Sequence, residues 1–175
     1  MIRIDTPVSI STIEKLEVGD PIEIYGCILC GRDAILPRLA HMVHSQDPLI
    51  QKIGLEGAVI FHTAVSPAGI GPTSSNKVEI EESMPSLSGA GVRIHIGKGS
   101  LGASTVRSLE KHTSVFAVTP PVSALFSDRT IEKKIIAFKE EGMEALFEIQ
   151  VNGLPAIIAA AHGRNIFADK DKGTV

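Results

Sequence analysis

The chain has 175 residues, 43% of them apolar, and its mean hydropathy is +0.20. This composition predicts a single globular domain over residues 1–175, with a core over about residues 10–168. Only 21% of the residues are charged and the formal net charge is −3, so the chain lacks the basic surface that nucleic-acid binding needs, and we expect no nucleic-acid partner.

The N-terminal sequence and the cysteine content predict a cytoplasmic protein. The start MIRIDTPVSI lacks the basic residues and apolar core of a secretory signal, and no apolar run reaches membrane-spanning length. Two cysteines, Cys27 and Cys30, form no disulfide framework, which fits a reducing compartment. Residues three apart on a strand face opposite sides, so we expect two separate cysteines rather than a redox pair.

Strands alternate with helices in the first two thirds of the chain. Alternating segments rich in branched residues predict strands, and apolar residues spaced three or four apart predict helices. The predicted strands are Ile22 to Leu29, Leu55 to Phe61, Val92 to Ile96 and Val115 to Val118. The predicted helices run from an N-cap at Asp33 to about His44, from near Ser74, and from an N-cap at Ser100 to about His112. A loop is predicted over 67–72.

The final third is richer in strands. The segments KKIIAF, ALFEIQV and PAIIAA predict short strands divided by Glu140-Glu141-Gly142 and by Asn152-Gly153, with a helix as the alternative over 131–139. The charged tail ADKDKGTV predicts a frayed end. Together these elements predict an α/β domain whose mixed sheet has parallel and antiparallel neighbours and is flanked by helices.

Three strand ends share a glycine turn, a basic residue and hydroxyl or carboxylate groups near the start of a predicted helix. They are Gly31-Arg32-Asp33, the segment from Gly71 to Lys77, and Gly97-Lys98-Gly99-Ser100. Backbone N–H groups and the positive helix end attract an anion there, and the Lys or Arg neutralises it. If the three ends share one rim, Arg32, Lys77 and Lys98 would face a ligand with more than one negative charge, such as a small dicarboxylate. P-loop and dinucleotide-binding motifs are absent, so we expect no nucleotide.

A set of short segments carries a resemblance to a known family. The segments are Val18-Gly19-Asp20, Gly26 through Arg32-Asp33-Ala34, Gly-Pro-Thr-Ser at 71–74, Ile96-Gly97-Lys98-Gly99 and Gly142-Met143-Glu144-Ala145. Gly-Pro-Thr followed about two dozen residues later by Ile-Gly-Lys-Gly is the most specific of them. In this order and spacing, over roughly residues 10 to 168, the chain resembles the β subunit, or C-terminal domain, of class I fumarases and L-tartrate dehydratases.

The resemblance implies a swivelling β/β/α domain and a hydro-lyase subunit. The reaction would be the reversible hydration of fumarate to malate, or alternatively the dehydration of L-tartrate or another 2-hydroxy dicarboxylate. A larger α subunit, in an α2β2 hetero-oligomer, would hold a [4Fe-4S] cluster, because two cysteines cannot supply its three thiolates and this chain is expected to bind no metal. The chain alone would then be inactive. The alternative from another class is a non-catalytic module for dicarboxylate binding or assembly.

The resemblance also implies roles for single residues. Arg32 and Lys98 would bind substrate carboxylates, Thr73 and Ser74 would contact the substrate, and Thr73 and Lys98 would be catalytic. Thr73 would take part in proton transfer at the carbon next to a carboxylate, but a hydroxyl is a poor base and needs a neighbour such as Lys98. Lys77 stands where relatives usually carry Arg, and it would bind a carboxylate without the two-pronged guanidinium contact.

Other positions depart from the family pattern. Ile35-Leu36 replaces Ala-His, Thr63-Ala64-Val65 replaces a Gly-Pro turn, and Ala160-Ala161 stands in place of an Asp. These changes indicate a divergent relative and leave open a different hydroxy acid or a lost activity. His62 follows the second predicted strand close to Thr73, where it could contact the site or be purely structural.

Overall fold

A computed structural model describes residues 1–67, 69–74, 77–120 and 123–167. Its strands are β1 (Ile2–Asp5), β2 (Pro21–Gly31), β3 (Val59–Ser66), β4 (Gly69–Thr73), β5 (Ile94–Gly97), β6 (Val115–Val118), β7 (Thr130–Ala137), β8 (Leu146–Ala161) and β9 (Arg164–Asn165). Its helices are α1 (Ile10–Ile13), α2 (Leu36–His44), α3 (Pro48–Ile53), α4 (Lys77–Gly89), α5 (Ala103–Lys111) and α6 (Ser123–Arg129), with a 3₁₀ helix at Lys139–Glu144. None of these helices has both the length and the apolar character needed to cross a membrane.

The sheet is mixed and closes on itself. Strands β2, β3, β5 and β6 are parallel neighbours in that order, and β8 pairs antiparallel with β6. The 16-residue β8 also pairs antiparallel with β2, which closes β2, β3, β5, β6 and β8 into a ring. Strand β7 lies at an edge against β8, and β4 returns along β3 as the second strand of a hairpin. The predicted α/β class with a mixed sheet and flanking helices is confirmed.

Side chains on the two sides of the sheet enter different cores. Alternate residues of β2, β3, β5, β6 and β8 fill a central cluster that includes Cys30, Phe61 and Ile96. Residues of the opposite side, such as Ile60, pack under α2 and α3. A third cluster lies under α4 and α5. Successive residues of a strand point to opposite sides of the sheet, and both sides are buried here. The sequences of these strands are therefore nearly continuous apolar runs.

The predicted loop over 67–72 is wrong in its second half. Residues Gly69–Thr73 form β4, which pairs with β3 through Thr63 and Thr73. Strand β3 itself starts at Val59 rather than at Leu55 and runs on to Ser66. The residues that replace the family's Gly-Pro turn therefore continue a strand.

The strand-rich final third was predicted correctly, but with one break too many. Residues Thr130–Ala137 form β7, so the helical alternative is wrong. Asn152-Gly153 does not end a strand, because Gly153 is an extra residue where the β2–β8 register shifts. Its φ of +74° suits glycine. The resulting bulge lies within the β2–β8 ladder and bends β8, which pairs with β6 further along. The charged tail lies outside the described residues.

Both predicted N-caps are wrong. Helix α2 begins at Leu36 after an N-cap at Ile35 that makes no side-chain capping bond. Helix α5 begins at Ala103 with Gly102 at its N-cap, two residues after the N-cap predicted at Ser100. At α5 a tertiary contact from Glu81 takes over the capping role, as described below.

Candidate functional site

The ends of three parallel strands meet at one edge of the sheet. Gly31 of β2 pairs with His62 of β3, and Gly97 of β5 stands one residue beyond the last β3–β5 pair. Arg32 directly follows Gly31, and Lys98 directly follows Gly97. The two strands, β2 and β5, lie about 10 Å apart. The predicted alignment of these two basic residues along one rim therefore has a basis in the register.

Strand β4 brings two more predicted residues to the same edge. Thr73 is the last residue of β4 and is paired with Thr63, and it is half-buried. Ser74 is buried, and its backbone N–H donates to the carbonyl of His62 at 2.9 Å. Lys77 begins α4, but its side chain lies outside the described part of the structure.

The Arg32 guanidinium lies between two carboxylates. Its Nη2 is 3.3 Å from Asp33 Oδ2, and its Nε is 3.4 Å from Glu144 Oε1. Both contacts are longer than the 2.7–2.9 Å typical of charge-assisted hydrogen bonds, and the buried Nε makes no hydrogen bond in suitable geometry. The side chain is 27% exposed. Arg32 thus has one long hydrogen bond, to Asp33, and one long ion-pair contact, to Glu144.

Asp33 connects two of the strand ends. Ser74 Oγ donates a hydrogen bond to Asp33 Oδ1 at 2.7 Å, and the other oxygen of the same carboxylate faces Arg32. Asp33 therefore caps no helix and instead joins the segment after β2 to the segment after β4. This explains why its position near the helix start was misleading.

A buried chain of hydrogen bonds lies behind this edge. His62 Nε2 is 3.2 Å from His95 Nδ1, and His95 Nε2 is 2.9 Å from Ser88 Oγ of α4. Both imidazoles are fully buried. Burial lowers the pKa of His62 to about 3, against the opposing effect of Asp33, and burial also lowers the pKa of His95. Both histidines are consequently neutral near pH 7.

Lys98 differs from the other predicted residues in its environment. It is exposed in the bend that follows β5. The start of α5 does not serve an anionic ligand, since Glu81 Oε2 accepts from the Gly102 N–H at 2.9 Å and from Thr105 Oγ at 2.5 Å. The third predicted anion site thus reduces to the ammonium group of Lys98.

The described residues do not fit a metal cluster. No group of three or more His, Cys, Asp or Glu side chains in the described ranges could hold a metal ion. Cys27 is exposed and Cys30 is buried, so they face opposite sides of β2 as predicted. Burial raises the pKa of both thiols. A thiolate-ligated cluster accordingly does not fit this part of the chain.

Three residues at this edge escaped the sequence analysis. The first is Asp33 as the acceptor for Ser74, and the second is Glu144, which lies in one of the family segments and contacts Arg32. The third is His95, a polar residue between Ile94 and Ile96 on a buried strand. That alternation could have indicated a hydrogen-bonded partner on the helical side, whereas the other two depend on contacts across the fold.

Two departures from the family pattern occupy core positions. Ile35 and Leu36 are buried against Leu39 under the helical layer. Ala160 and Ala161 are also buried, and Ala160 pairs with Phe116 of β6. These small and apolar side chains complete packing, so the structure accounts for them without a role in binding.

Comparisons with known proteins show the family of this chain. The sequence profile described as "Fumarase C-terminus" matches residues 1–170. A Geobacillus stearothermophilus protein named "Putative fumarate hydratase class I" is 27% identical over 188 residues, covering 100% of this chain and 35% of that protein. The "L(+)-tartrate dehydratase subunit beta" of Escherichia coli (strain K12) is 26% identical over 180 residues, covering 95% and 87%. A Methanocaldococcus jannaschii protein named "Putative L(+)-tartrate dehydratase subunit beta" is 26% identical over 175 residues, covering 91% and 88%.

The chain therefore spans about a third of the first relative and most of the other two.

Proposed function

Because this chain belongs to the Fumarase C-terminus family, we propose that it is the β subunit of an iron–sulfur hydro-lyase and binds the carboxylates of the substrate. The reaction adds water to fumarate to give malate, reversibly. L-tartrate, or another 2-hydroxy dicarboxylate, is an equally supported substrate, since relatives carry both names. Both kinds of substrate present two carboxylates to the same basic edge.

The row formed by Gly31, His62 and Gly97 carries the proposal. Cys30 and Ile96 face the central cluster, and the residues two positions further along are Arg32 and Lys98. Both residues lie just past the strand ends, and we propose that both cations face one side of this edge. Two cations on neighbouring strand ends suit a small dianion, and the long contacts of Arg32 leave it available for one.

Thr73 is proposed as the residue that exchanges a proton with the substrate. Hydration forms a C–O bond at one carbon and a C–H bond at its neighbour, which carries a carboxylate. The Thr73 hydroxyl would deliver the proton of this C–H bond in hydration and take it up in dehydration, helped by the positive charge of Lys98. Ser74 holds the adjacent backbone through Asp33, and Lys77 is a further candidate for a carboxylate contact.

A larger α subunit would complete the enzyme. Two relatives are named as β subunits, which supports a hetero-oligomer, and we propose an α2β2 arrangement. The [4Fe-4S] cluster would be held by the α subunit, in line with the lack of a ligand set in the described residues. We further propose that residues 1–175 form one domain, that the assembly is cytoplasmic, and that the chain alone is inactive.

The test is co-expression with the cluster-bearing subunit under anaerobic conditions, followed by assays with fumarate, malate and L-tartrate. Turnover of one substrate pair by the complex, and none by either subunit alone, is the expected result. A complex with a fully reconstituted cluster that turns over none of the three would contradict the proposal and favour a non-catalytic dicarboxylate-binding or assembly module. Native mass spectrometry of the same sample measures the stoichiometry.

A further inference from the structure

His62 carries a hydrogen-bonding atom that the fold leaves unused. Its Nδ1 is buried and has no partner among the described residues, whereas its Nε2 contacts His95. Buried polar atoms without a partner are rare, and each calls for an explanation. The proposed roles of Arg32, Thr73 and Lys98 do not account for it.

The direction of the hydrogen bonds decides which nitrogen of His62 carries the proton. Two arrangements satisfy both contacts, one with donation from Ser88 through His95 to His62 and one in reverse. The first leaves an N–H at His62 Nδ1, and the second leaves a lone pair there. A carboxylate nearby favours the N–H, and Asp33 is close enough to act electrostatically on this ring.

The geometry of the strands indicates where Nδ1 faces. The two ring nitrogens point in nearly opposite directions, and Nε2 points toward His95 on β5. Nδ1 is thus directed away from β5, toward the side of β2, where Asp33 follows the strand end. Ser74, which stands opposite His62 on the β3–β4 hairpin, already donates to Asp33.

Substrate binding by Arg32 creates a need for this atom. In the structure the guanidinium is shared between Asp33 and Glu144, and a ligand carboxylate bound in two-pronged fashion would compete with one of them for its N–H groups. Asp33 would then keep its negative charge with one partner fewer. The Asp33 side chain is 24% exposed, and a partly buried carboxylate that loses a partner is less stable unless another donor replaces it.

We propose that His62 is a positioning residue whose Nδ1–H becomes the replacement donor to Asp33 when a substrate carboxylate draws Arg32 away. This inference rests on the proposed function, in which Arg32 binds that carboxylate. His95 and Ser88 act through His62, because their hydrogen bonds hold the ring with the N–H on Nδ1. No proton is transferred in this step, and only the partners of Asp33 change.

Two variants of His62 separate the two ring nitrogens. Gln places its amide near the position of Nε2 and keeps the contact with His95, whereas Asn places its amide near the position of Nδ1. In the αβ complex, His62→Gln should raise KM for the dicarboxylate roughly tenfold or more, the loss expected for one hydrogen bond to a charged group, with kcat little changed. His62→Asn should restore KM to within about threefold of wild type.

A double-mutant cycle with Asp33→Asn tests whether His62 acts through Asp33. In that background His62→Gln should change KM by less than about twofold, because the charge that it serves is gone. His44→Gln is the matched control, since His44 is exposed on α2 and contacts Ser86 outside this edge. Its kinetics should equal those of the wild type.

The ¹⁵N chemical shifts of the His62 ring in the full chain test the tautomer without any assay of activity. A proton on Nδ1 is expected, and a proton on Nε2 would overturn the inference. It is also overturned by a wild-type KM in His62→Gln, or by an equal rise of KM with and without Asp33→Asn. A wild-type complex without turnover would overturn the proposed function and this inference together, whereas the other outcomes overturn the inference alone.

Discussion

Ser74 Oγ donates a hydrogen bond to Asp33 Oδ1 at 2.7 Å, although the two residues lie 41 positions apart in the sequence. Each stands next to a residue of the proposed site, since Arg32 precedes Asp33 and Thr73 precedes Ser74. One hydrogen bond between two strand ends therefore links the guanidinium proposed to bind substrate to the hydroxyl proposed for proton exchange.

Removing this hydrogen bond should lower both the stability of the fold and the catalytic efficiency of the complex. Ser74→Ala leaves a carboxylate with one donor fewer and is expected to lower the free energy of unfolding by roughly 1–3 kcal/mol. Because Thr73 and Arg32 lose their common anchor, kcat/KM should also fall in the αβ complex. Urea denaturation and steady-state kinetics measure the two effects. Ser45→Ala, at an exposed hydroxyl on the C-terminal side of α2, is the control; equal losses in both variants would argue against a specific role for Ser74.

Lys98 should matter for turnover and not for folding. It is exposed and follows β5 at the functional edge, so Lys98→Ala should abolish activity of the complex while shifting the melting temperature by less than about 2 °C. Lys52→Ala serves as the control, because Lys52 is exposed at the end of α3, before β3 begins. Scanning calorimetry measures the melting temperatures, and steady-state kinetics on the same preparations measure turnover. Joint loss of fold and activity would make Lys98 structural.

The buried histidine pair should make the protein sensitive to mild acid. Burial lowers the folded-state pKa of His62 to about 3 and also lowers that of His95, while unfolded histidines titrate near 6.5. The stability that comes from keeping them neutral is complete above pH 6.5 and is lost as the pH falls below it. His62 should cost about 2 kcal/mol in the free energy of unfolding between pH 7 and pH 5, and His95 should add a cost in the same direction.

Urea midpoints over this pH range measure the effect. His62→Gln should remove about 2 kcal/mol of this pH dependence, since one buried titrating ring is removed while its contact with His95 is kept. His41→Gln, at an exposed position on α2, should leave the pH dependence unchanged. An unchanged slope in His62→Gln would mean that this histidine does not stay neutral in the fold.

Glu81 should stabilise the start of α5. Its carboxylate accepts from the backbone of Gly102 and from the hydroxyl of Thr105, which satisfies donors that a helix leaves unpaired. Glu81→Ala is expected to cost about 1–2 kcal/mol, the range for the loss of a helix cap. The neighbouring Glu82 is exposed, and Glu82→Ala should have little effect. Thermal denaturation of the pair compares them, and equal melting temperatures would contradict a capping role.

Local sequence patterns predicted much of the architecture. Alternation of branched residues located β2, β5, β6 and β7 closely, because the period of two is imposed by the pleat wherever a strand is buried. Glycine and proline were less reliable guides. The same Asn-Gly pair that often ends a strand forms a bulge within β8, where the ladder to β2 continues on both sides of Gly153.

By itself, the sequence determined the α/β class, the positions of most strands along the chain and the family. It also gave the short motifs that contain Arg32, Thr73, Ser74, Lys77 and Lys98. These features depend on residue types and spacings within short segments. Only the tertiary structure decided that Asp33 accepts a hydrogen bond from Ser74, that Glu144 forms an ion pair with Arg32, and that His62 is hydrogen-bonded to His95. The physical reason is that a hydrogen bond or an ion pair between distant segments is set by how strands register and helices pack, and such contacts leave no periodic trace in a single chain.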